Sequence, residues 1–226
     1  MTKLTKSITI ITSILVLDQI VKIWIKTHMT LGQEFSVFGN WFLIHFVENN
    51  GMAFGFEFAV EYGKIFLTLF RIAAVIAIGW YMLKLIKKDL PMGFIACVSL
   101  ILAGASGNIF DSVFYGVIFN DSHGQIATMF PDGGGYASFL HGKVVDMLYF
   151  PMINGRYPEW LPFKGGDDFQ FFRPVFNIAD SSITIGIFSI LIFYRKLFSQ
   201  IDLKEEKEIE VKPDEVSVSS EEVTEN

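Results

Sequence analysis

The 226-residue chain has a single cysteine and only four histidines. Cys97, set in the apolar run from Ile95 to Leu102, has no partner for an internal disulfide and reads as a small buried hydrophobe rather than a nucleophile. The histidines lie far apart, without HExxH or any clustered ligand spacing, so no metal site is indicated and no cofactor is required. No basic patch interleaved with aromatics is present, which argues against nucleic acid as a partner. No small-residue cleavage site follows the first apolar run, so Ser7 to Trp24, behind Lys3 and Lys6, reads as an uncleaved span and not as a secretory leader. The chain also lacks an internal repeat.

Hydrophobic residues make up 51% of the chain and phenylalanine alone occurs 24 times, too apolar a composition for an ordinary soluble domain. The expected fold class is an α-helical integral membrane protein with four transmembrane helices, over about 7–26, 64–86, 92–115 and 178–198. Each run is long enough to cross the hydrocarbon core at ~1.5 Å per residue. Residues 1–200 would form the membrane domain. From Asp202 onward ten acids face three lysines, a net of −7 against −6 for the whole chain, so residues 201–226 read as an acidic, disordered, cytoplasmic tail and the body carries +1. Between the first two spans, aromatic and β-branched alternation (Phe35 to Phe38, Phe42 to Phe46), interrupted by Gly39-Asn40 and Asn50-Gly51, predicts a short hairpin or small sheet. Residues 116–175 form a long non-spanning region. Its apolar stretch Gly142 to Phe150 holds a strand or the start of a short helix, which periodicity cannot settle.

Polar residues interrupt the spans at particular places. Asp180 opens the fourth span, where Asn177 and Asp180 have capping-box spacing; capping and a catalytic role both fit that segment alone. Asp18 and Lys22 share one face of the first span, and Lys22 reads as a structural ion-pair partner. Arg71 lies within the second span. Asn108 and Asp111 close the third, after the small-residue run Gly104-Ala105-Ser106-Gly107 that permits close helix packing. Lysines cluster before span one, between spans two and three and after span four, which puts both termini in the cytoplasm, with Lys22 and Lys26 mildly opposed. With that topology Asp18, Asn108, Asp111 and Asp180 share the outer membrane level, and the loops carrying Asn49 and Asp146 lie on the same side. Independent capping does not predict such convergence, because each buried polar group costs stability.

The ordered set Asp18-Gln19 with Lys22, Asn49 with Gly51 and Ala53-Phe54, Gly107-Asn108 with Asp111, Val144-Val145-Asp146, and Phe176-Asn177 with Ala179-Asp180 resembles the lipoprotein signal peptidases, the bacterial signal peptidase II family. The resemblance runs from Asp18 to Ile185. It implies an integral membrane aspartyl endopeptidase of the bacterial inner membrane, with a small extracytoplasmic sheet and a short extracytoplasmic helix or loop over the site. The implied catalytic pair is Asp146 and Asp180, supported by Asn49, Gly51, Asn108, Asp111 and Asn177, with Asp18 and Lys22 nearby. The implied partners are membrane lipids and prolipoproteins whose cysteine already carries diacylglyceryl, cleaved just before that cysteine. Two departures stand out: Ser112 follows Asp111 where the family has arginine, for which Arg71 is a candidate replacement, and the segment 151–175 is longer than the family pattern.

Three other readings compete. Gly104-Ala105-Ser106-Gly107 matches the GxSG signature of rhomboid-type serine proteases, with Ser106 as nucleophile, but no histidine lies in spans two to four and a Ser106–Lys143 dyad has no spacing argument. Intramembrane acids can relay protons in a transporter, yet here they all lie on one side. They can also serve as structural pins in a scaffold.

Overall fold

The computed structural model describes residues 1–50, 63–171 and 174–197. Gly51, Ala53 and Phe54 lie outside the described residues, as does the acidic tail. The chain divides into two compact units, Met1–Ile187 and Phe188–Asn226. The described part of the second, Phe188–Leu197, is helical and includes a π-turn at Ile190–Tyr194.

Among the described residues, four helices are long and apolar enough to cross a membrane: Lys3–His28, Gly63–Lys87, Met92–Ile118 and Ile178–Leu197. The first, α1 (Lys3–His28), begins one turn earlier than its apolar run because the Thr2 hydroxyl accepts the Thr5 N–H at 3.1 Å, a side-chain N-cap. It ends where Met29 turns extended. Next come β1 (Glu34–Phe38), β2 (Phe42–Asn49) and α2 (Gly63–Lys87). Helix α3 (Met92–Phe110) passes into a π-turn at Asp111–Tyr115 and a last turn, α4 (Gly116–Ile118). Widening of the helix frees carbonyls, and the loop that follows caps them: Gly142 donates to Ser112 O at 2.8 Å, Leu140 to Val113 O at 3.1 Å and Ala137 to Gly116 O at 2.9 Å.

The stretch left open between strand and helix is a strand, β3 (Val144–Tyr149). Residues 151–171 hold a second hairpin, β4 (Ile153–Arg156) and β5 (Asp168–Phe171). After β6 (Val175–Phe176) the chain enters α5 (Ile178–Ser189). The main sheet is antiparallel in the order β1-β2-β3-β6. Its register sets Val47 opposite Asp146 and Asn49 opposite Val144, so β2 delivers Asn49 to the same end of β3 that carries Asp146.

Small residues bring the helices together. A Cβ on Gly104 would overlap the Ala179 carbonyl and the Ser182 hydroxyl of α5, and one on Gly107 would meet Asp18 Oδ2 at 2.9 Å. The end of α1, the end of α3 and the sheet then enclose a core of Ile25, Met29, Phe46, Tyr115, Phe119 and Met147.

Candidate active site

Two connected tiers of polar side chains form where α1, α3, α5 and β3 meet. The lower tier centres on Lys22, which is fully buried. Its ammonium contacts Asp18 Oδ2 at 2.8 Å and Asp111 Oδ2 at 2.7 Å, and donates to Asn108 Oδ1 at 2.9 Å. Lys22 is thus more than the i,i+4 partner of Asp18: it joins α1 to α3. Gln19 extends the tier, donating to Asp111 Oδ1 at 2.8 Å and accepting the Tyr115 hydroxyl at 3.0 Å. Asp18 Oδ1 accepts the Ala179 N–H at 3.0 Å and so caps the start of α5 from another helix. Asp111 Oδ2 also accepts the Val145 N–H at 3.4 Å, which ties this tier to the residue before Asp146.

The upper tier holds the two acids. Asp180 Oδ1 accepts the Asn108 amide at 2.7 Å and Oδ2 accepts the Asn177 backbone N–H at 3.4 Å. The Asn177 side-chain oxygen in turn accepts the Asp180 N–H at 2.8 Å, which completes a capping box at α5. Capping and site-building are therefore the same set of bonds. The other end of the Asn177 amide donates to Asp146 Oδ1 at 2.6 Å, to Asn108 Oδ1 at 3.1 Å and to the Val145 carbonyl at 3.2 Å. Asn49 donates to Asp146 Oδ2 at 3.3 Å. Asp146 is 3% exposed, and burial, followed by the charge of Asp180, pushes its carboxyl up to about 7.

The structure brings together Asp18, Lys22, Asn49, Asn108, Asp111, Asp146, Asn177 and Asp180. Ser112, where an arginine was expected, is buried and spends its hydroxyl on the Asn108 carbonyl at 3.0 Å. Arg71 is half-buried on α2 and its charge acts on Asp180. Ser106 donates to its own helix, at Leu102 O, 2.7 Å away. Lys143 pairs with Glu48 at 3.2 Å, which leaves the Ser–Lys dyad without geometric support. Among the described residues no His, Cys, Asp and Glu side chains group as a metal ion would require.

Sequence reasoning did not single out Gln19 as a bridge or foresee a second buried cluster beside the site. There Lys26 pairs with Glu48, donates to Ser122 at 3.0 Å and lies near the Phe46, Phe119 and Tyr136 rings. Glu48 is pushed up by burial, but Lys26 and Lys143 outweigh this and hold it below the usual carboxylate range. Because Glu48 precedes Asn49, this cluster pins the strand end that reaches Asp146. The available signal was the pair of lysines a turn apart, Lys22 and Lys26, at the end of an otherwise apolar helix.

Residues 10–196 match the family described as signal peptidase (SPase) II. The chain is 54% identical over 191 residues to the lipoprotein signal peptidase of Porphyromonas gingivalis (strain ATCC 33277), with 84% of this chain and 83% of that protein covered. To the lipoprotein signal peptidase of Amoebophilus asiaticus (strain 5a2) it is 37% identical over 192 residues, covering 82% and 75%. It is also similar to a solved bacterial membrane enzyme, with a TM-score of 0.57, 27% identity and coverage of 87% of this chain and 91% of the other.

Proposed function

The chain belongs to the signal peptidase II family, a family of membrane proteases, and from that premise we propose that it is an aspartyl endopeptidase removing signal peptides from diacylglyceryl-modified prolipoproteins just before the lipid-bearing cysteine. The observation that carries the aspartyl reading is Asn177: it donates to Asp146 and exchanges backbone and side-chain bonds with Asp180, so one residue holds both carboxyls at the mouth of α5.

Two neighbouring carboxyls resist joint ionisation and share a proton. Asp146, raised to about 7 by burial and by Asp180, serves as the acid that carries that proton. Asp180 has the Asn108 amide and the Asn177 N–H donating to its two oxygens, and serves as the base. In the first step Asp180 takes a proton from water as the water oxygen attacks the scissile carbonyl, while Asp146 gives its proton to the carbonyl oxygen. The product is a neutral gem-diol. In the second step Asp180 passes its proton to the amide nitrogen and the C–N bond breaks. One gem-diol hydroxyl returns a proton to Asp146, leaving a new carboxyl end and a free amine. No covalent enzyme intermediate forms.

The proposed topology, with both termini in the cytoplasm and the site at the outer boundary of the bacterial cytoplasmic membrane, is supported by the lysines at the helix ends remote from the site. An acyl-bearing cysteine can stay in the lipid there while its peptide bond meets the acids. The test is cleavage of a diacylglyceryl-modified prolipoprotein by purified wild type, Asp146→Asn, Asp180→Asn and Ser106→Ala, with folding checked for each. Loss of cleavage in both folded Asn variants with retention in Ser106→Ala is expected; cleavage by either Asn variant near the wild-type rate overturns the dyad.

A further inference from the structure

The hairpin β4–β5 takes no part in the site, and its tip is built in an unusual way. Trp160 is 79% exposed and Phe163 is fully exposed, more than any other aromatic side chain among the described residues. The loop that presents them is ordered by its own backbone. Tyr157 donates to Asp167 O at 2.8 Å and Gly166 returns a bond to Tyr157 O at 3.0 Å, which closes the loop at its base. Within it Leu161 donates to Pro158 O at 3.0 Å and Gly165 to Leu161 O at 2.9 Å. Phe163 itself has φ of 67°, a left-handed conformation that bulky residues avoid, so the fold spends backbone strain to point an apolar ring outward. Exposed aromatic surface on an ordered support marks an interaction site.

Its position indicates which kind. The hairpin's two ends spring from the place where β3 pairs with β6, at Tyr149 and Val175, just before α5 starts its membrane-spanning run at Ile178. A continuous cluster of rings marks this root: Trp41 to Phe150 at 6.2 Å, Phe42 to Phe150 at 4.6 Å and Phe150 to Phe176 at 5.8 Å. Trp41 is 60% exposed, and Met152, at the foot of β4, is 61% exposed. Tryptophan and its aromatic neighbours concentrate at the headgroup level of bilayers, where an apolar ring with a polar edge is best solvated. At ~3.3 Å per residue the arm from Ile153 to Pro158 reaches about 20 Å at most, short enough to stay beside the bilayer it springs from.

We propose that the β4–β5 tip, through Trp160 and Phe163, is a second membrane contact that rests in the interfacial layer of the bilayer in which the protein's own helices sit. Arg156 and Lys164 are offset by Glu159, Asp167 and Asp168, so binding is driven by aromatic burial and needs no anionic lipid. The contact does not depend on what the protein cleaves.

The experiment places a nitroxide label at Phe163→Cys or, separately, at Trp160→Cys, in a Cys97→Ala background reconstituted in phosphatidylcholine nanodiscs. Collision rates with oxygen, which concentrates in lipid, and with a water-soluble nickel complex give the depth. A label free in buffer and a label at Ile185→Cys, on an exposed face of the spanning α5, are the references. Both tip labels are expected to fall between the references, at the shallow depth of roughly 5–10 Å typical of interfacial segments, and to stay there in high salt. Labels that match the free nitroxide put the tip in water and overturn the proposal. Labels shielded from both reagents overturn it equally, in favour of a protein contact with a second copy.

Discussion

Asp146→Asn is expected to abolish cleavage and to stabilise the protein above neutral pH. In the folded chain the Asp146 carboxyl stands at about 7 in place of 3.8, through burial first and the charge of Asp180 second. Between those two values the folded protein holds a proton that the unfolded chain has released. Stability from this group is therefore complete below the unfolded pKa, declines as pH rises and is lost beyond the folded pKa. At ~1.4 kcal/mol per pH unit, the window from 3.8 to about 7 corresponds to ~4 kcal/mol. Asparagine cannot ionise and avoids this loss. Asn177 keeps its amide on the remaining oxygen, because the same nitrogen serves Asn108 and the Val145 carbonyl. The new NH2 therefore faces Asn49, whose contact is the longer at 3.3 Å and whose amide can turn to accept, at a cost of ~1 kcal/mol. The assay is unfolding of detergent-solubilised wild type and variant in SDS-mixed micelles from pH 4 to 9. Wild type should lose stability relative to the variant steadily from about pH 4 to 7 and hold a constant deficit above. Parallel pH dependence in the two proteins would refute the reasoning.

Four further outcomes follow from named contacts. Lys22→Met leaves Asp18 and Asp111 buried without their cation and should cost ~3–5 kcal/mol, whereas adding Asp18→Asn and Asp111→Asn should restore much of that; unfolding of the single and triple variants measures both. Gly104→Ala drives a methyl into the Ala179 carbonyl and should destabilise by at least ~1–3 kcal/mol, read as a lowered melting temperature in detergent. Ser106→Ala loses one intrahelical bond and should keep its cleavage rate in the peptidase assay. Arg71→Leu removes the cation whose field reaches Asp180 and should slow cleavage more than Arg71→Lys does; unchanged activity and stability in Arg71→Leu would remove Arg71 from the site.

Where the sequence was readable, one interaction dominated. The spans could be located because each is a long apolar run, and the polar residues within them stood out because lipid tolerates few. Asp18, Asn108, Asp111 and Asp180 could be found from hydropathy and topology alone. The π-turn at Asp111–Tyr115 could not, since it depends on the loop near Gly142 supplying donors to the freed carbonyls, and nothing local announces it. The β4–β5 hairpin was equally hidden: Pro151, Pro158, Pro162 and Gly165-Gly166 signal turns, and its short strands exist because Ile153 pairs with the distant Phe171. The pairing of Lys22 with Asp18 is visible in sequence as i,i+4 spacing, whereas the contact of Lys22 with Asp111 requires α1 and α3 to meet.

The same buried ammonium, through its bond to Asn108, decides how the site is oriented. A lysine ammonium only donates, so Lys22 must face an oxygen of Asn108, and it faces Oδ1. The Asn108 nitrogen is thereby aimed at Asp180, and its oxygen is left to receive the Asn177 nitrogen as well. Asn177 then has only its oxygen to offer the Asp180 N–H, and its nitrogen is committed to Asp146. The amides on these helices could be satisfied in either sense if taken singly; linked to Lys22 they have one sense. A charge that touches neither proposed catalytic carboxyl thus sets which atoms face both, which gives the chain a physical reason to keep a lysine and two carboxylates buried where an apolar trio would be cheaper to fold.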